Sequence, residues 1–264
     1  MDLTTYFKVN FSRYKALAPS VGKIHSLLLD GKKSVKNDHI ALRTIDLTHT
    51  NKEKCAKFFI EHGYQKSGEY SFEEKKLNAI HLEKAGWPKV FISELILKNF
   101  SEELQNTCKE VFNSIPVGLT SIELLHYGRK WNFSHSTYTK VVKESPYAAW
   151  CLAIGFCPNH FTIDLNTLDS FSSLEQLNEH LKKEGFLLNQ VEGEIKGSPS
   201  VLLEQSSTLA DRKMISFEEG DFEVPTCYYE FAKRYKGQDG KYFQGFIAQS
   251  ADQIFESTNS QVKS

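Results

Sequence analysis

Hydrophobic and polar residues alternate over residues 37–45, and this pattern predicts a strand around which the rest of the fold is arranged. Successive side chains of a strand point to opposite faces of its sheet. One face of this strand carries an apolar stripe, whereas the other carries His39 and Arg43. These two residues lie about 13 Å apart along the strand and point the same way, so both could contact one small ligand. Alternatively, His39 is a hydrogen-bonded core residue and Arg43 reaches solvent.

The same pattern returns in the second half of the chain. Residues 159–165 again consist of a polar residue, a histidine (His160) and an alternating strand. Each of the two strands is followed by a short amphipathic helix. These helices end at Gly63 and Gly185, each with an aromatic residue after it, as helix C-termini prefer. Strand–helix units in matching order, each opened by a histidine, indicate an internal repeat.

Three more strands are predicted after each helix, because apolar runs are separated there by short polar turns. Two units of βαβββ order can form a curved sheet with an open face that encloses a site. We therefore predict an α+β fold in which two βαβββ units form a curved, barrel-like sheet. The predicted strands lie at 68–72, 77–82 and 89–97 in the first unit, and at 190–195, 201–207 and 226–232 in the second.

Helical patterns precede the first unit and separate the two units. Pro19, Ser101 and Pro146 each suit the start of a helix. Polar residues dominate the end of the chain, where we expect fraying. We predict one domain over residues 1–258, made of a helical N-terminal segment (1–36), the first unit (37–100), a helical insertion (101–157), the second unit (158–235) and a tail (236–258), before a frayed C-terminus (259–264).

Composition excludes several classes of protein. The 264 residues are 40% hydrophobic, and 32 basic residues balance 33 acidic ones, so we expect no nucleic-acid partner. No apolar run approaches the roughly 18 residues of a membrane span, and the N-terminus lacks the pattern of a signal peptide. The five cysteines are odd in number and contain no close pair, which fits reduced thiols. We therefore expect a cytoplasmic protein without a membrane partner.

A glutamate in the last strand of each unit extends the repeat to a metal hypothesis. Glu94 and Glu230 both lie within mainly apolar strands, where a buried carboxylate needs a partner. Together with the histidines, one carboxylate would complete the ligand set of non-haem iron(II) oxygenases, although zinc binds similar sets. The pattern does not choose between the two glutamates. Each also has a basic neighbour that could pair with it instead: Lys89 for Glu94, and Lys233 or Arg234 for Glu230.

Four segments, taken together and in order, resemble the 2-oxoadipate dioxygenase/decarboxylase family. The members of this family are iron-dependent 2-hydroxyglutarate synthases of the vicinal oxygen chelate superfamily. This chain is shorter than some members, which carry insertions between the motifs. The resemblance extends from about residue 5 to residue 258, and its motifs are DHIALR (38–43), NHFT (159–162), YYEFAKR (228–234) and GFIAQSAD (245–252).

The resemblance implies a site for Fe(II) and a substrate. In it, His39, His160 and Glu230 are the iron ligands, and Arg43 is the catalytic residue that anchors a substrate carboxylate. Glu94 then becomes the counterpart of Glu230 in the first unit, buried but without a metal. The tail is implied to pack on this site.

The substrate pocket is implied to include the tail. Backbone groups at Ile247 and Ala248 are expected to help hold the substrate, and residues 205–208 are expected to line the cavity. The implied enzyme converts a 2-oxo dicarboxylic acid, with 2-oxoadipate as the best candidate, and O2 to 2-hydroxyglutarate and CO2, in lysine catabolism. Its alternatives are a metal-dependent lyase, isomerase or ring-cleaving dioxygenase of the same superfamily, or a non-catalytic metabolite-binding relative. The oligomeric state does not follow from the sequence.

Overall fold

The computed structural model describes residues 1–29 and 35–247 of the chain. Two helices come first, within the segment predicted to be helical, and the second one begins at Pro19, as predicted. The first unit then has the predicted order. These elements are α1 (Leu3–Leu17), α2 (Pro19–Leu29), β1 (Asn37–Ile45), α3 (Lys52–Glu61), β2 (Gln65–Phe72), β3 (Leu77–Glu83) and β4 (Lys89–Leu95).

The predicted helical insertion follows. Ser101 caps its first helix by accepting a hydrogen bond from a backbone N–H, and Pro146 occupies the first turn of its last helix. The helices are α4 (Glu102–Asn113), α5 (Ser121–Leu125), α6 (His135–Glu144) and α7 (Pro146–Ile154). Helix α7 is buried along its whole length and packs against β1. The insertion is therefore part of the core rather than a surface appendage.

The second unit differs from the prediction in two places. The strand predicted at 190–195 is wrong, because Glu192 and Gly193 adopt left-handed backbone angles (φ 55° and 101°) that interrupt a strand. An additional hairpin, which was not predicted, lies between the last two strands of the unit. The elements are β5 (Pro158–Asp164), α8 (Leu174–Lys183), β6 (Lys196–Ser198), β7 (Leu203–Ser207), the hairpin of β8 (Arg212–Phe217) and β9 (Gly220–Pro225), and β10 (Tyr228–Arg234).

Both predicted glycine stops lie just after their helices. Gly63 follows α3 with φ 85°, and Gly185 follows α8 with φ 86°. This left-handed conformation carries little steric cost for glycine, which lacks Cβ. Each turn directs the chain back toward the sheet.

The two units share one curved sheet with the strand order β2-β3-β4-β1-β5-β10-β7-β6. Within each unit the first and last strands are parallel, β1 with β4 and β5 with β10. The units join where β1 and β5 run antiparallel. This arrangement confirms the predicted α+β fold of two βαβββ units.

Helices cover one face of this sheet. Helix α3 packs on β3 and β4, α8 on β7 and β10, and α1 on β5. We call the other face, which carries His39 and Arg43, the site face. Among the helices of residues 1–29 and 35–247, none has both the length and the apolar character needed to cross a bilayer.

Candidate metal centre

The junction of the two units brings the predicted ligands together. Residues paired across neighbouring strands share a face of the sheet. His160 pairs with Ala41 on β1, and Glu230 pairs with Thr162 on β5, which in turn pairs with His39. The register therefore places both histidines and the glutamate on the site face, on three adjacent strands.

The three side chains converge on one point. One potential ligand atom from each of His39, His160 and Glu230 lies within 4.8 Å of the others, and all three residues are buried. His39 Nε2 is 3.3 Å from one oxygen of Glu230, and His160 Nε2 is 3.3 Å from the other. Two imidazoles and one carboxylate suit a divalent transition metal, so the donor set fits a metal site.

Each histidine is oriented by the residue that precedes it. The Nδ1–H of His39 donates to a carboxylate oxygen of Asp38 at 2.8 Å, and that of His160 donates to the amide oxygen of Asn159 at 3.1 Å. Such bonds fix the tautomer, so that Nε2 is the atom available to a metal. The sequence shows a polar residue before each histidine, but its type alone does not indicate this role. The recurrence of that residue in both units was the signal that could have revealed it.

Removal of one of these orienting groups should weaken metal binding. We expect Asn159→Ala to reduce Co(II) affinity by about 10-fold, because partners of metal-bound histidines are typically worth 10–100-fold. Titration of the d–d absorption with Co(II) measures this affinity. Asn178→Ala is the matched control, since Asn178 is equally buried but accepts its hydrogen bond from Ser206 on the other face of the sheet. Equal affinities in the two variants would show that Asn159 does not orient His160.

The pKa values of the cluster follow from burial and mutual attraction. Burial lowers the pKa of His160 to about 3 despite the nearby Glu230 carboxylate, so this imidazole is neutral near pH 7. Burial would also lower the pKa of His39, but the carboxylates of Glu230 and Asp38 outweigh it and raise that pKa above its usual value. Burial opposes ionisation of Glu230, yet the two histidines hold its pKa below the usual range. Glu230 is therefore ionised near pH 7 and can balance the charge of a bound cation.

Glu230 has one further partner that was not predicted to bind it. The Gln205 side-chain N–H donates to a Glu230 oxygen at 2.7 Å. Gln205 lies on β7, next to β10, and was expected only to line the cavity. Its hydrogen bond restricts the rotation of the carboxylate.

Glu94 lies on the opposite face of the sheet. It pairs in register with Thr44, one position along from Arg43. Its carboxylate accepts hydrogen bonds from the backbone N–H and the ammonium of Lys52, at the start of α3. The suggested ion pair of Glu94 with Lys89 is therefore wrong.

The prediction that Glu94 is the counterpart of Glu230 is also wrong. Glu230 stands two positions after the parallel-strand partner of His160. In the first unit, Phe91 stands two positions after the partner of His39. The repeat therefore replaces the carboxylate by a phenyl ring, and of the two units only the second supplies a glutamate to the site face at this position.

Arg43 lies on the site face beside the cluster. Its side chain is buried, so the suggestion that it reaches solvent is wrong. The guanidinium carbon is 5.1 Å from the ring centre of Tyr147 and 5.2 Å from that of Trp150, both on α7. The charge of the guanidinium also acts on Tyr228 and on His160. The helical insertion thus supplies the walls around the predicted carboxylate anchor.

The tail reaches the same face. Phe246 is buried, and its ring centre is 4.8 Å from that of His39 and 5.0 Å from that of Phe91. Ile247 follows and is half-buried, whereas Ala248 lies outside the described residues. The aromatic side chain next to the predicted backbone contacts was not singled out from the sequence.

Comparisons with known proteins agree with this geometry. The family model for 2-oxoadipate dioxygenase/decarboxylase matches residues 11–117 and 119–238. The chain is 32% identical over 253 residues to the chloroplastic 2-oxoadipate dioxygenase/decarboxylase of Arabidopsis thaliana, an alignment that covers 84% of this chain and 67% of that protein.

Two solved structures are similar to this chain over nearly its whole length. The crystal structure of hydroxyglutarate synthase from Oryza sativa, in complex with 2-oxoadipate, is 28% identical, with a TM-score of 0.88 over 97% of this chain and 93% of that one. A Shewanella frigidimarina protein described as a hydrolase is 42% identical, with a TM-score of 0.88 over 94% of this chain and 98% of that one. The family match, the paired units and the buried ligand cluster lead to one conclusion: this chain belongs to the 2-oxoadipate dioxygenase/decarboxylase family.

Proposed function

We propose that this protein is a 2-oxoadipate dioxygenase/decarboxylase. The observation that carries the proposal is the convergence of His39, His160 and Glu230 in a chain of that family. The reaction combines 2-oxoadipate with O2 to give 2-hydroxyglutarate and CO2. One carbon leaves as CO2, and both atoms of O2 end in the products. The rice relative that binds 2-oxoadipate supports this choice of substrate.

Fe(II) is the metal that we propose for these ligands. A set of two histidines and one carboxylate with open coordination positions is that of non-haem iron oxygenases. Bound Fe(II) would supply the activation of O2 and of the 2-oxo acid, which no side chain of the cluster can provide. A reaction that consumes O2 favours iron over zinc, which has no redox chemistry.

Arg43 is the residue that we propose to bind the substrate carboxylate remote from the metal. Arg43 lies two positions beyond Ala41, which is the strand partner of His160. Arg43 and Ala41 are therefore about 7 Å apart along β1. The two carboxylates of a six-carbon diacid are roughly 6 Å apart when its chain is extended. A guanidinium donates two parallel hydrogen bonds to a carboxylate, which fixes the direction of the substrate as well as its position.

We propose that aromatic residues on both sides exclude water from the site. Tyr147 and Trp150 cover Arg43, and Phe246 covers His39. We propose that backbone groups at Ile247 and Ala248 complete the pocket. A dry site strengthens the attraction between Arg43 and a carboxylate.

The decisive experiment is turnover with defined metal content. The purified protein is loaded with Fe(II) without oxygen and mixed with 2-oxoadipate and air, while O2 uptake is recorded and the product is identified by mass. We expect one O2 consumed for each 2-hydroxyglutarate and CO2 formed, and no turnover with Zn(II) in place of Fe(II). Binding of Fe(II) without O2 uptake for any dicarboxylic 2-oxo acid would contradict the proposal and favour a metal-dependent lyase or isomerase.

We propose further that the protein acts in the cytosol, in the breakdown of lysine. All five cysteines are free and buried, which supports a reducing compartment. The proposed substrate and product support the place in lysine catabolism.

A further inference from the structure

The chain reverses direction after β10 and returns across the site face. The N–H of Phe243 donates to the carbonyl of Tyr235 at 3.0 Å, and Lys236 and Tyr242 form an antiparallel bridge. Within the predicted tail (236–258), we call residues 243–247 the tail segment. It places the Phe246 ring against His39 and leads directly to the predicted substrate contacts.

One buried guanidinium fastens the tail segment. Arg234 donates from Nη1 to the carbonyls of Phe243 at 2.9 Å and Gly245 at 2.8 Å. Its guanidinium carbon is 5.3 Å from the centre of the Phe246 ring. Only 4% of Arg234 is exposed, so loss of these carbonyls would leave part of a buried cation without partners.

The other side of the same guanidinium binds Asp38. Nε donates to one carboxylate oxygen at 2.6 Å and Nη2 donates to the other at 2.9 Å. Arg234 was suggested from the sequence as a partner of Glu230, and the structure assigns it to Asp38 instead. Arg234 and Asp38 are 196 positions apart in the chain, so sequence spacing gave no sign of this pair.

Asp38 connects this pair to the metal centre. The oxygen that accepts from Arg234 Nη2 also accepts from Nδ1 of His39. An unbroken series of hydrogen bonds therefore runs from the carbonyls of the tail segment through Arg234 and Asp38 to His39. The guanidinium is planar and its donors are fixed in direction, so it cannot follow a displaced tail segment without straining its hydrogen bonds to Asp38.

We propose that Arg234 is a positioning residue that couples docking of the tail segment to the orientation of His39. The docked tail holds Arg234, Arg234 holds Asp38, and Asp38 sets the direction of the imidazole. Metal binding and tail docking then favour each other by the same factor, because coupling between two sites is reciprocal. The inference rests on the metal centre of the proposed function but not on the identity of the substrate.

The test measures this coupling directly in the full-length protein. Hydrogen exchange of the peptide that covers residues 241–247 is followed by mass spectrometry, with and without Co(II). In the wild type we expect Co(II) to slow exchange by about 5-fold or more, the lower end of typical coupling between sites. In Arg234→Lys we expect saturating Co(II) to change exchange less than 2-fold. The Co(II) affinity of that variant should fall by about the factor seen in wild-type exchange.

Two controls separate coupling from loss of charge or of stability. Arg212→Lys makes the same substitution in an exposed guanidinium that pairs with Glu223, and should keep the full Co(II) effect. Lys89→Gln removes another cation, 4.0 Å from Asp38, without replacing the guanidinium, and should also keep it. If Arg234→Lys does not fold, Asp38→Asn interrupts the same series from the other end and should abolish the Co(II) effect.

Equal protection by Co(II) in the wild type and in the folded variant would overturn the proposal, and so would a wild-type tail that Co(II) does not protect. Neither outcome involves 2-oxoadipate. Failure of the proposed reaction would appear instead as absent turnover in a protein whose tail and metal are still coupled.

Discussion

We expect Glu230→Gln to lose both metal binding and turnover, and Glu94→Gln to keep both. Glutamine has nearly the shape of glutamate, so the variant tests the charge and the ligand strength of the carboxylate rather than packing. Loss of a partner that only orients a metal-bound histidine costs about 10–100-fold in affinity. Loss of the only carboxylate in the cluster should therefore weaken Fe(II) or Co(II) binding by at least about 100-fold, with a similar loss of kcat/KM.

Glu94→Gln is the control because its carboxylate is also buried in the last strand of a unit. It faces the other side of the sheet and binds Lys52, so its loss should lower the melting temperature without changing metal affinity. Metal titration and O2 uptake, measured on both variants, test whether Glu230 rather than Glu94 binds the metal. A Glu230→Gln protein that retained full activity would remove Glu230 from the metal centre.

Arg43→Lys should change which substrate the enzyme prefers. Lysine keeps the positive charge but loses the fork of donors and the flat surface that lies against Tyr147 and Trp150. A hydrogen bond to a charged group contributes about 1.5–3 kcal/mol. Loss of one such bond should lower kcat/KM for 2-oxoadipate by about 10- to 100-fold.

The comparison with 2-oxohexanoate, which lacks the second carboxylate, shows where Arg43 acts. The wild type should strongly prefer 2-oxoadipate, and Arg43→Lys should reduce the ratio of the two kcat/KM values by the same 10- to 100-fold. Lys213→Arg, on the exposed β8 strand, is the control for exchange between basic residues and should keep the wild-type ratio. If Arg43→Lys lowers kcat/KM equally for both substrates, Arg43 does not bind the second carboxylate.

Local sequence patterns were sufficient for most of the fold. Strand alternation is a property of neighbouring residues, so it located β1 and placed His39 and Arg43 on one face before any tertiary contact was known. Helix ends have local signals too, and Gly63 and Gly185 marked them correctly. The prediction at 190–195 failed because the backbone takes left-handed angles at Glu192 and Gly193, which the alternation of residue types does not reveal.

The exposed hairpin was missed for a related reason. Within residues 1–29 and 35–247, strands β8 and β9 pair only with each other, and outward positions of β8 carry mixed residues rather than a clear apolar stripe. Its pairing is stabilised by contacts with the insertion, for example the stacking of His135 on Phe222 at 3.7 Å. Such contacts join residues far apart in the chain, which a local pattern does not reveal.

The sequence alone established the two histidines, the repeat that relates them and the presence of a carboxylate in each last strand, because these features depend on short-range order. The strand pattern did not choose between Glu94 and Glu230, and apart from the family resemblance only the tertiary structure separates them, since a strand register is set by the packing of whole units and a shift of one position reverses every side chain. The pair of Asp38 and Arg234 depends on the same long-range packing. The types of the ligand residues are thus visible in short stretches of sequence, whereas their arrangement in space depends on the folded sheet.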